Sequence, residues 1–123
     1  MATYHQELTI PADKSISEPF QLGPHHRVVG ITTMGDWDET CTVGLDIQID
    51  SKPEWYPVID GIKGERAHVA GMISRAFHII PDYGHPLSDV GDDKIRVVCL
   101  GAHLEEKPTR EERKLKLCIR IGD

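Results

Sequence analysis

The chain has 123 residues, with 39% hydrophobic residues, 28% charged residues and a formal net charge of −6. That balance fits one globular domain, residues 1–123, long enough to bury roughly two-thirds of its unfolded surface. An acidic domain repels phosphate backbones unless its cations cluster, so nucleic acid is not an expected partner.

No apolar run approaches the roughly 20 residues needed to span a bilayer, so no membrane partner is expected. The opening MATYHQELTI lacks a basic region followed by an apolar one, and synthesis in a cytoplasm is expected. Three cysteines, Cys41, Cys99 and Cys118, show neither CxxC nor CxxH spacing. The odd number excludes a disulfide framework as the organising device, and the spacing argues against structural zinc.

Strand signals recur along the chain at Tyr4–Ile10, Ile16–Leu22, His26–Thr32, Cys41–Ile49, Trp55–Ile59, Glu65–Ala70, Arg75–Ile80, Lys94–Leu100 and Lys114–Ile121. Turn clusters separate them: PADKS, LGPH, MGDWDE, DSKPE, DGIKG, PDYGHPLSDVGDD and HLEEKPTREE. Short strands at this spacing predict an all-β sandwich or barrel. In Cys41–Ile49 the apolar residues Cys41, Val43, Leu45, Ile47 and Ile49 alternate with Thr42, Gly44, Asp46 and Gln48. In the last strand Leu115, Leu117, Ile119 and Ile121 oppose Lys114, Lys116 and Arg120. Such strands belong to antiparallel sheets packed on one side and wet on the other. The only helical signal is Pro108–Arg113, where Thr109 and Glu112 have capping-box spacing. It reads as a mixed-charge loop or a single turn.

Residues able to carry chemistry do not converge. Seven histidines include His25 and His26 in one turn, and His78 and His85 around IIPDYG. No spacing among them enforces the three or four ligands of a zinc site. The acidic loops DWDE (Asp36–Glu39) and Asp89, Asp92, Asp93 lack the EF-hand pattern and read as solvated. No nucleophile elbow, phosphate loop or dinucleotide fingerprint is present. The chain is therefore expected to be non-enzymatic, with no catalytic residue, metal or cofactor. Trp37, Trp55, Tyr56 and Tyr83 fall in loops or at strand starts. Either they are flat platforms for sugar, or Trp37 folds over the end of the sandwich and Trp55 plugs it.

The order of these features resembles that of small β-sandwich virion proteins of tailed bacteriophages and gene transfer agents. The resemblance is carried by Leu8–Pro11, Arg27–Ile31, Trp37, Val43–Ile49, Asp50–Tyr56, Asp60–Glu65, Lys94–Val98 and Arg113–Arg120. Together these cover the chain from about Leu8 to Arg120. The departures are Cys99, Leu100 and Gly101, where that family has Ser-Gly, and the charged loop EEKPTREER.

The resemblance implies an antiparallel β-sandwich, with the jelly roll as a candidate form. It implies a capsid decoration or cement protein, or the base of a head fibre, bound to the assembled major capsid protein. Self-association, as a trimer matching shell symmetry, would shield open sheet edges. The alternatives are a tail or baseplate component and a carbohydrate-binding module for host attachment. Trp37, Tyr83, Lys116, Cys118 and Arg120 are the candidate exposed or partner-contact residues. Cys118 lies in the row of Lys114, Lys116 and Arg120, so it is expected to face outward as the most reactive thiol. Cys41 and Cys99 align with apolar rows and are expected to be inert.

Overall fold

In the computed structural model, residues 2–37, 42–49, 52–60, 63–69, 73–79 and 93–122 are described. They form β1 (Ala2–Ile10), β2 (Phe20–Gln21), β3 (His26–Met34), β4 (Thr42–Gln48), β5 (Tyr56–Pro57) and β6 (Ile59–Asp60). After these come β7 (Glu65–Arg66), β8 (His68–Val69), β9 (Phe77–Ile79), β10 (Lys94–Leu100) and β11 (Arg113–Ile121). One sheet has the order β1-β11-β3-β9, and the other has β2-β10-β4-β5 with β8 also on β4. All pairs are antiparallel.

The short strands β6, β7 and β8 lie in one excursion between β5 and β9. Without them, the eight remaining strands in chain order fall as 1-8-3-6 in one sheet and 2-7-4-5 in the other. First pairs with last, second with seventh, third with sixth and fourth with fifth, as in a long hairpin rolled up across two sheets. This is the jelly-roll form of the antiparallel sandwich.

The alternation in the sequence builds the core. Leu8, Ile10, Val28, Ile31, Leu115, Leu117 and Ile119 from the first sheet meet Val43, Leu45, Ile95, Val97 and Cys99 from the second. Leu22 and Trp37 close this cluster. Strand β11 lies between β1 and β3, and its register with β3 slips between Cys118 and Ile119. That slip leaves Val29 unpaired between Gly30 and Val28, a bulge that restores inward aim to Val28.

Local expectations change at Ile16–Leu22 and at Ile49, and an open alternative is settled at Pro108–Arg113. Ile16–Leu22 runs along β10 without forming a continuous strand. Ile16 bridges Val98, Ser17 N–H donates to the Val97 carbonyl (3.0 Å), and only Phe20–Gln21 makes a ladder. Pro19 sits between the two contacts and has no N–H to donate. Of the two readings of Pro108–Arg113, the mixed-charge loop holds and no helical turn forms, with Arg113 beginning β11. Thr109 is buried, and its hydroxyl donates to the Pro11 and Lys14 carbonyls (both 3.2 Å), which ties the charged loop to the β1–β2 connection. Ile49, the last of the apolar row of its strand, is exposed just beyond the end of β4.

The two sheets differ on their outer faces. The outer positions of β4 and β10 include Thr42, Asp46, Val98 and Leu100, all buried, so this face is covered rather than wet. The Arg66 side chain reaches over Gly44, where a Cβ would come 3.3 Å from its Nε and 2.8 Å from Leu100 Cδ1. The first sheet keeps an open outer face.

Candidate functional site

Register fixes what the open face of the first sheet presents, because directly paired residues share a face. Four rows cross it. Lys114 lies between Thr9 and Met34, and Lys116 lies between Glu7 and Thr32 with Phe77 beyond. Cys118 lies between His5 and Gly30 with Ile79 beyond, and Arg120 lies between Thr3 and Arg27. A line of cations thus runs down the middle of the face in a chain that is acidic overall.

At the β9 edge the face becomes apolar. Phe77 is 53% exposed and Ile79 77% exposed, and Ile73, just before β9, is also exposed. The Phe77 ring occupies the space a Gly30 side chain would need, with Cζ 2.3 Å from an ideal Cβ. Only glycine leaves room for the ring there. Ile49, just beyond β4, and Tyr56, in β5, are also exposed, at the β4–β5 side of the other sheet.

The sequence-derived candidates separate on this map. Lys116 and Arg120 lie on the open face, both half-buried. Tyr83 is outside the described residues. Trp37 is not exposed: it is 6% accessible and belongs to the core. Its indole N–H donates to the Lys114 carbonyl (3.1 Å), and Ser74 Oγ donates to its carbonyl (2.9 Å). It seals the end of the sandwich and offers no flat platform. Trp55 does not plug the core. It lies over the Arg96 guanidinium, 4.3 Å from centroid to Cζ, as a cation–π contact.

Cys118 keeps the expected row but is buried, with 8% accessibility. The strand is central in its sheet, and Lys116, Arg120 and His5 flank this short side chain while Phe77 lies over the adjoining Gly30. A small residue among long neighbours is shaded even on an open face. Cys99 is buried in the core as expected, and Cys41 lies outside the described residues. Native alkylation is therefore expected to spare both Cys99 and Cys118, with mass spectrometry detecting their labelling only after denaturant is added. Rapid labelling of Cys118 in the native chain would contradict its burial.

The buried polar cluster on the other sheet is structural. Asp46 is 3% accessible and accepts from Arg66 through one oxygen and from Arg96 Nε through the other (3.0 Å). Both arginine side chains are mostly buried, so one carboxylate holds two guanidiniums and Trp55 caps one of them.

Other polar groups are occupied by nearby partners. The Gly23 N–H lies 3.1 Å from His26 Nδ1, and the Tyr4 hydroxyl meets the same nitrogen at 3.0 Å, across from β1 to β3. Burial raises the Tyr4 pKa above its ordinary value. The Glu105 carboxylate accepts its own backbone N–H and that of His103 (2.9 Å), which lowers its pKa. His78 Nε2 lies against the Ile73 backbone, while its partner in the metal reading, His85, is outside the described residues. Among the described residues no three His, Cys, Asp or Glu side chains gather as a metal site, and no helix is long and apolar enough to cross a membrane.

The site with functional potential is therefore a surface: the cationic and apolar outer face of the β1-β11-β3-β9 sheet. Phe77 and Ile79 were not legible as part of it, because the Arg75–Ile80 strand signal carries no face until the pairing of β9 with β3 sets it. No family model, curated protein or solved structure matches this chain.

Proposed function

We propose that the chain is a non-enzymatic structural protein of a phage-like particle, a decoration or cement protein or a head-fibre base that binds the assembled major capsid protein. The observation that carries this reading is the open sheet face, where Phe77 and Ile79 stand exposed beside Lys114, Lys116 and Arg120. Contiguous exposed apolar surface rimmed by charge marks protein interaction sites. The cations favour an acidic partner and steer its approach.

Two further points support it. The jelly roll is a recurrent fold of viral capsid domains, although it also serves lectins, so the fold contributes by analogy alone. The order of strand and turn features from Leu8 to Arg120 resembles that of small virion proteins. Weak contacts repeated across a shell add up multivalently, so a modest patch on each copy is sufficient. The sugar-binding alternative loses Trp37, one of its four candidate platforms, to the core.

The test is co-sedimentation of the purified chain with shells of the major capsid protein. Ile79→Asp combined with Lys116→Glu is expected to reduce bound protein at least about tenfold, since central interface residues contribute 2 kcal/mol or more. Circular dichroism should remain unchanged. Undiminished binding would remove this face from the interface, and no binding by the original chain would overturn the reading.

A further inference from the structure

We infer that β1 is a self-complementary edge, through which two copies of this chain pair into a continuous eight-stranded sheet. β1 ends its sheet, and among the described residues no strand pairs with its outer side. Natural edge strands are normally short, bulged, or guarded by Lys or Pro. This one is nine residues long, matches β11 residue for residue without a shift, and contains neither Lys nor Pro.

The sequence ATYHQELTI is symmetric in residue class about Gln6. An antiparallel pairing centred there sets Thr3 against Thr9, Tyr4 against Leu8 and His5 against Glu7 of the second copy, with Gln6 meeting Gln6. The two-fold axis repeats each pair. On the open face, His5 and Glu7 are both exposed, so an imidazole N–H meets a carboxylate twice. On the inner face, half-buried Tyr4 extends the apolar row toward Leu8 of the second copy. Hydroxyl pairs and opposite-charge pairs directly across strands are favourable, and like charges there are unfavourable. A shift by one residue would lose the pairing and turn every side chain to the wrong face, so the register is specified.

Such a contact is isologous and closes at two copies. It is separate from any three-fold order of a shell, which would require a head-to-tail surface. It is also independent of the particle reading, because it rests on β1 alone.

Sedimentation velocity of the full chain at micromolar concentrations tests it. The original chain should form a dimer. His5→Glu should raise the dimer dissociation constant about tenfold, since two like-charge pairs replace two favourable ones. His5→Lys should lower it, and His5→Glu with Glu7→His should restore it toward the original value. Both positions are exposed, so the fold is expected to survive, with unchanged circular dichroism as the control. A chain that stays monomeric, or grows beyond a dimer, overturns the inference. So do His5→Glu and His5→Lys acting in the same direction, or failure of the exchanged pair to restore dimerisation.

Discussion

Asp46→Ala is expected to destabilise the chain by about 3 kcal/mol or more, the cost of breaking a buried ion pair by removing one partner. The carboxylate is nearly inaccessible and holds both Arg66 and Arg96. Its loss leaves two mostly buried guanidiniums without their shared carboxylate, only Arg96 of the two lying against Trp55. The low end of the range applies because each arginine side chain keeps some access to water (15% and 17%). Arg66→Met and Arg96→Met should each cost less, because Asp46 retains one partner. The double arginine variant should be worse than their sum, since it leaves the carboxylate buried alone. Urea unfolding monitored by tryptophan fluorescence measures all four. Near-neutral behaviour of Asp46→Ala would mean that the cluster does not hold the 63–69 segment on the sheet.

Trp37→Ala is expected to cost about 3–5 kcal/mol, the range for removing a large buried aromatic side chain. Against typical domain stabilities of about 5–15 kcal/mol, that is a large share. Trp37→Phe keeps most of the ring volume and forfeits the hydrogen bond to the Lys114 carbonyl, so about 1 kcal/mol is expected. The contrast separates two roles. A sugar platform would tolerate both changes in stability and lose ligand binding, whereas an end seal loses stability in proportion to the volume removed.

Period 2 made the long strands legible. β10 runs over Lys94–Leu100 as read, and β1, β4 and β11 differ from their sequence readings by one or two residues at their ends. The face assignment of Leu115, Leu117 and Ile119 followed directly. Parity tells which way a side chain points but not what lies above it. Asp46 and Cys118 both point away from the core, yet one is covered by Arg66 and the other is shaded by its neighbours. Phe77 and Ile79 show the same limit from the other side. Their strand signal carries no face, and pairing of Phe77 with Thr32 and Ile79 with Gly30 sets them on the outer face. Long-range register decides that, and no local pattern records it. The jelly-roll order was likewise beyond local reading, because first-with-last pairing joins strands over a hundred residues apart.

The most direct measurement is electron microscopy of particles carrying this chain with a site-specific label. Many regularly spaced copies over the shell are expected, with the β1-β11-β3-β9 face turned toward the capsid protein. A few copies at the tail or baseplate, or none on the particle, would contradict that expectation.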